Sequence, residues 1–103
     1  MSSEKDFIEY LIFMNKFVVL WELLKYSPDS WENYSIVEDE DTLCCSLVDK
    51  CGNEITDDVL DNCVEISLNS VGRSFYDRYV SGEFFKKEEI AEIIRDGLIF
   101  KYL

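Results

Sequence analysis

Most of the ionisable side chains in the middle of this chain are carboxylates. Residues 29–65 hold twelve acids against Lys50 alone. The densest run is Glu38, Asp39, Glu40 and Asp41, and a second cluster is Asp57, Asp58, Asp61 and Glu65. Paired carboxylates perform general acid–base work when a partly desolvated pocket pushes their pKa values apart. A hydrophilic run is the opposite environment, so these acids are not expected to be catalytic. A calcium loop needs acids at alternate positions, a glycine in its middle and a glutamate at its end. Residues 38–41 have neither the glycine nor the spacing.

Other catalytic constellations are missing their parts. The chain has no histidine, which excludes a Ser-His-Asp triad, a Cys–His pair and histidine-ligated zinc. Ser74 and Ser81 therefore have no base to activate them. No phosphate-binding glycine loop, dinucleotide fingerprint or G-x-S-x-G elbow occurs. Cys44, Cys45, Cys51 and Cys63 do not form a C-x-x-C pair, so neither a redox motif nor a zinc ribbon is indicated. On a helix the adjacent Cys44 and Cys45 would point about 100° apart. The four read as small buried apolar residues, reduced in a cytoplasmic protein. The expectation is a protein that is not an enzyme and uses no cofactor and no metal.

The charge then becomes the main functional signal. Ten Lys and Arg face 22 Asp and Glu, a formal net charge of -12. Residues 1–28 hold four acids and three lysines, and residues 66–103 hold six of each sign, so nearly all of the excess lies in residues 29–65. Concentrated like charge repels itself and lowers stability, and solubility alone is better served by interspersed signs. Phosphates would be repelled, which argues against a nucleic-acid or anionic-membrane partner. A basic protein partner is expected instead, docking on Glu38 to Asp41 and on Asp57, Asp58, Asp61 and Glu65. Trp31 and Tyr34 are the expected anchors, because Trp and Tyr dominate interface energetics. Tyr76 and Tyr79 serve either as further anchors or as core aromatics. Arg73, Arg78, Lys86 and Lys87 read as a solvated helix face with local ion pairs.

The elements that must position these residues are mostly helical. One small domain over residues 1–103 is expected, with 48% hydrophobic and 15% aromatic residues to build its core. Ser3 and Asp6 form a capping signal for a helix from about residue 4 to 26. Phe13, Met14, Phe17, Leu20, Trp21 and Leu24 share one face, with Ile8, Leu11, Ile12, Val18 and Leu23 partly on the other. Such a helix is expected to be central and covered all round. Glu9, Asn15, Lys16 and Glu22 interrupt it too often for a membrane span. The N-terminus has no basic stretch of the secretory type, so a cytoplasmic location is expected.

Pro28 ends this helix, and Ser27-Pro28 is able to start a short second one carrying Trp31 and Tyr34. Residues 35–41 read as an acidic connection. Residues 42–51 fit a helix, favoured because the flanks are helical. A hairpin at about 42–56, with Gly52-Asn53 in its turn, is the alternative. Thr56 is the expected N-cap of a long helix ending at Gly82, with Leu60, Val64, Leu68, Val71, Phe75 and Tyr79 on one face. Asn69, Ser70 and Gly72 are where it would bend or break. A last helix at about 86–96 is capped by Gly97, and the apolar tail 98–103 should dock on the core. The expected fold is mainly α, a single-domain bundle of four or five helices.

One local string adds a resemblance. Tyr79-Val-Ser-Gly-Glu-Phe-Phe-Lys-Lys-Glu-Glu-Ile90 resembles the Ser-Gly-Glu entry to an acidic helix in colicin D-type immunity proteins. A small acidic helical chain without catalytic residues is similar to the immunity proteins of colicin and contact-dependent growth inhibition systems. The resemblance implies a stoichiometric inhibitor that binds the C-terminal nuclease domain of one toxin and occludes its active or substrate-binding site. It transfers no site residue. The same charge also suits a phage-encoded nucleic-acid mimic acting on a restriction or CRISPR effector, and a helical adaptor subunit is a third reading.

Overall fold

Ser3 opens the first helix as its spacing to Asp6 predicts. Its Oγ accepts from the Asp6 N–H at 3.2 Å and its own N–H donates to the Asp6 carboxylate at 3.0 Å. This is a reciprocal capping box. In the computed structural model, residues 3–25, 34–39 and 44–103 are described, Asp39 and Cys44 by backbone alone. The single helix expected over 4–26 is two helices, α1 (Glu4–Met14) and α2 (Lys16–Lys25). The break has a local cause. The Asn15 N–H donates to the Leu11 carbonyl at 3.0 Å, closing α1, while its Oδ1 accepts from the Val18 N–H at 3.4 Å, opening α2. Asparagine offers its backbone such alternatives and is better at a cap than inside a helix.

The break leaves a buried row and an exposed one. Phe7, Leu11, Val19 and Leu23 are fully buried, and Ile8, Val18 and Leu20 are buried beside them. Phe13, Met14, Phe17 and Trp21, expected on the inner face, lie on the outside instead, at 85, 45, 46 and 58% exposure. Helix α2 ends its described part with Lys25, and the short helix expected around Trp31 lies outside the described residues.

The acidic connection expected at 35–41 contains a strand. β1 (Ser35–Asp39) pairs antiparallel with β2 (Cys44–Val48), placing Val37 opposite Ser46 and Glu38 opposite Cys45. The helix favoured over 42–51 is therefore overturned, and the hairpin alternative is nearer the observed chain. After β2 the backbone returns tightly: Val48 bridges Glu54, and Gly52 adopts φ +83°, a left-handed conformation natural to glycine. The Asp49 carboxylate accepts the N–H groups of Cys51 and Asn53, both at 2.9 Å. The Asn53 N–H foremost, and then that of Cys51, hold this carboxyl below its ordinary value.

Thr56 is not the cap of a long helix. Its Oγ1 accepts the Leu47 N–H at 2.8 Å, tying β2 to the following turn, and Thr56 is fully buried. The turn α3 (Thr56–Asp58) widens into a π-helical segment, Val59–Cys63, and then becomes β3 (Val64–Leu68). A separate helix α4 (Ser70–Val80) follows, with Asn69 as its N-cap. Gly82 ends this region in a left-handed conformation, φ +91°. Helix α5 (Lys87–Gly97) and strand β4 (Leu98–Tyr102) complete the chain. The tail docks as expected, through an antiparallel ladder with β3.

Two glycines set the crossing of α4 and α5. A Cβ on Gly72 would lie 2.2 Å from the Gly97 carbonyl oxygen, and one on Gly97 would lie 3.0 Å from the Gly72 Cα. Gly97 thus serves close approach rather than the left-handed cap expected of it. Asn69 clamps the same crossing. Its Oδ1 accepts from the Gly72 N–H at 2.9 Å, its Nδ2 donates to the Asp96 carbonyl at 2.6 Å, and its N–H donates to the Gly97 carbonyl at 3.0 Å.

The protein is thus mainly helical with two small antiparallel strand pairs, rather than a bundle of helices alone. Its core has two parts. One gathers α1, α4 and α5 around Phe7, whose ring lies 5.0–6.4 Å from those of Tyr10, Tyr76, Tyr79 and Phe85. The other gathers Leu20, Leu23, Cys45, Leu47, Val59 and Val64. Ile66 and Phe100, opposite each other in the β3–β4 ladder, pack against both. The Tyr102 hydroxyl donates to the Leu23 carbonyl, joining the tail to α2. No helix among the described residues is long and apolar enough to cross a membrane.

Two stability predictions follow from these contacts. Gly72→Ala must part the two helices, at a cost of about 1–3 kcal/mol in chemical denaturation. The same change at Gly82 meets no neighbouring atom within 4 Å and tests backbone conformation alone. Burial raises the Tyr102 pKa from 10.0 to about 12. Because the folded value is the higher, the stability this phenol contributes is complete below pH 10 and is lost as pH rises towards 12. Tyr102→Phe should cost about 0.5–1.5 kcal/mol, the net worth of one hydrogen bond, and should abolish that alkaline loss.

Candidate functional site

The break at Asn15 forms one wall of an open groove of about 1230 Å³. Ile12, Phe13, Met14 and Phe17 line it from α1 and α2, Leu60 from the π-helical segment, and Ile66 from β3. Acids rim the opposite side: Glu38 comes from β1, Asp57 from α3 and Asp61 from the π-helical segment. Glu4 and Glu9 stand on the α1 side together with Lys5, and Lys16 and Lys87 also reach the rim. The wall built from β1, α3 and the π-helical segment therefore carries acids without a base, while the helical wall is mixed.

Local structure explains these placements. In β1, successive side chains point to opposite faces, so Glu38 and the half-exposed Val37 diverge. The tight return after β2, fixed by Asp49 and by Thr56 on Leu47, brings Asp57 to the groove mouth. Asp57 and Asp61 are four apart and project on one side of the turn. The wider π-helical winding carries Leu60 inward beside them. Such segments recur at functional sites because they displace side chains from regular register.

The sequence-predicted residues are thus divided. Glu38, Asp57 and Asp61 come together at the groove. Asp58 is exposed beside them, with the Asn62 amide at 3.5 Å from its Oδ1. Glu65 does not join them: it stands on β3 opposite Lys101 of β4, an opposite-charge cross-strand position. Asp39 contributes a backbone position opposite Cys44. Trp31, Glu40 and Asp41 lie outside the described residues. Tyr34 is half-buried against the second core cluster rather than standing out as an anchor.

Comparison with family profiles, curated proteins and solved structures finds no match. The site therefore stands on its own geometry.

Among the described residues, no ion pair engages Glu9, Glu38, Asp57 or Asp61, whereas Glu4 meets Arg73 at 3.5 Å. Of the C-terminal bases, Arg78 pairs locally as expected, whereas Arg73 reaches across to Glu4 of α1 and Lys87 lines the groove. Arg78 lies 2.6 Å from Glu83 and 3.5 Å from Glu89, with its guanidinium over the rings of Phe75 and Phe85 at 5.2 and 5.3 Å. Tyr76 and Tyr79 pack on Phe7 as core aromatics. Cys45 is buried, but Cys51 is exposed in its turn, against the expectation of four buried thiols.

The groove-lining residues that the sequence does not single out as site candidates are Phe13, Met14 and Phe17. A usable signal was present. Glu9, Phe13, Phe17, Trp21 and Lys25 recur every four residues, and the charged ends of this row mark a solvent face. The alternative row of Phe7, Leu11, Asn15, Val19 and Leu23 is the buried one, interrupted where the helix breaks.

This division makes a contrast in mutational cost. Phe13→Ser should shift unfolding free energy by no more than about 0.5 kcal/mol, as surface changes do, and Phe17→Ser, at a half-buried position, by about 1–2 kcal/mol. Phe7→Ala should cost about 3–5 kcal/mol. Urea denaturation of the three variants checks these values.

Proposed function

We propose that this chain is a stoichiometric inhibitor of the immunity-protein kind, binding the basic nuclease domain of one cognate toxin and covering its active or substrate-binding surface. The observation that carries this reading is the gathering of Glu38, Asp57 and Asp61 along one groove, free of ion pairs among the described residues. Nuclease domains are basic because they hold phosphates. An acidic face of this kind mimics none of the chemistry of an enzyme; it places negative potential where a cationic surface would dock. Electrostatic complementarity chiefly accelerates encounter and rejects wrong partners.

The reading needs neither a cofactor nor catalysis by this chain, and it places the protein in the cytoplasm, where a toxin nuclease would meet its substrate. The acids at 57, 58 and 61 are exposed, so changing them leaves the core intact.

The test pairs this protein with the nuclease domain of its proposed cognate toxin, sought in the reading frame next to its own gene. Association is followed by stopped-flow at low and at physiological salt, with growth protection measured in cells that express the domain. Reversing Asp57, Asp58 and Asp61 together to Lys should slow association at least about tenfold at low salt, flatten its salt dependence and weaken protection. An unchanged on-rate with full protection contradicts the acidic-surface reading.

A further inference from the structure

The acids explain attraction, but an aqueous acidic rim holds a partner weakly by itself, because exposed ion pairs contribute little. The groove supplies what the rim lacks. Phe13, Phe17, Leu60 and Ile66 line it, and Phe13 leaves 85% of its surface in water. Exposed apolar side chains gathered beside a polar rim mark interaction sites. From these features we infer that the groove at the α1–α2 break is the docking site for a cationic segment of the protein partner, one that inserts large apolar side chains between Phe13, Phe17 and Leu60 and sets Lys or Arg against Glu9, Glu38, Asp57 and Asp61. This inference rests on the inhibitor reading and deepens it by locating the contact and stating the chemistry of its occupant.

Charge and shape select this occupant over the others. A second copy of the chain brings another -12 of charge to an acidic rim and is repelled. An anionic lipid surface is repelled in the same way. Small-molecule sites are concave and bury most of their ligand's surface, whereas this groove is open, with about 1230 Å³ of room for part of a polypeptide. The lining carries Glu4, Glu9, Glu38, Asp57 and Asp61 against Lys5, Lys16 and Lys87, and this acidic excess favours a cationic polypeptide. The division of labour is kinetic. Carboxylates speed arrival, and desolvated apolar anchors slow departure.

The probes are three synthetic 16-residue peptides: an amphipathic Leu/Lys helix, a Ser/Lys peptide of equal charge, and a Leu/Glu helix of opposite charge. Binding to the full chain is measured by titration calorimetry at physiological salt. The Leu/Lys peptide should bind at least tenfold more tightly than the Ser/Lys peptide, and the Leu/Glu peptide should not bind. The double variant Phe13→Ser with Phe17→Ser should lose at least tenfold in affinity for the Leu/Lys peptide. Phe84→Ser, which changes an aromatic residue 96% exposed elsewhere on the surface, should change nothing. Equal affinity for the Leu/Lys and Ser/Lys peptides, or parental affinity in the Phe13/Phe17 variant, overturns the inference. With the toxin domain the two proposals separate. If reversing the acids slows association but the Phe13/Phe17 variant dissociates no faster, the groove inference falls and the inhibitor reading stands. If reversing the acids has no effect, the inhibitor reading falls whatever the peptides do.

Discussion

Ile66 and Phe100 face each other across the β3–β4 ladder, and each packs against both halves of the core. The pair joins elements that are distant along the chain, since β3 and β4 enclose α4 and α5 between them. It lets the helical half around Phe7 and the strand-bearing half around Leu47 share a continuous apolar interior. Ile66 is also part of the groove lining, so the contact that unites the two halves sets the floor of the candidate site. The Tyr102 hydroxyl on the Leu23 carbonyl extends the same union to α2. Burial of apolar surface on one face of this ladder, against both halves of the core, is the dominant source of stability available to a chain of this size.

Upon that frame the charge acquires a direction. Acids spread over residues 29–65 describe only a composition, and folding separates them into groups with different surroundings. Glu65 is placed opposite Lys101. Asp49 is engaged by backbone N–H groups of its own turn. Glu38, Asp57 and Asp61 remain on a shared rim beside exposed Phe13 and Phe17. An acidic surface that is purely solubilising has no need of aromatic side chains held open to water beside it. The combination of fast electrostatic capture and apolar retention is what a tight inhibitor of a basic enzyme requires.

Features set by short-range chemistry were legible from the residues alone. The Ser3–Asp6 box, the stop at Gly82, helix α5 and the docking of the tail all depend on neighbours a few residues away or on a strongly apolar run. The failures have a common physical origin in ambiguous spacing. Leu60, Val64 and Leu68 are four apart and satisfy a helix, yet Val64-Glu-Ile-Ser-Leu68 also alternates with the period of a strand. Only pairing with residues 98–102 decides between them, and that partner is distant in sequence. Residues 44–48 were decided in the same way, by β1. At the site, Glu38, Asp57 and Asp61 are legible as charge, but Phe13 and Phe17 read as core because apolar residues occupy most of the circumference here, and only the charged ends of the Glu9–Lys25 row mark the side that faces water.

The most direct measurement is amide hydrogen exchange across the chain, free and in complex with the nuclease domain of the proposed toxin partner. A contact centred on the groove predicts new protection at the α1–α2 junction, residues 12–18, and along residues 57–66, with α4 unchanged. Protection confined to α4 and α5, with the junction and residues 57–66 exchanging as in the free protein, would contradict it.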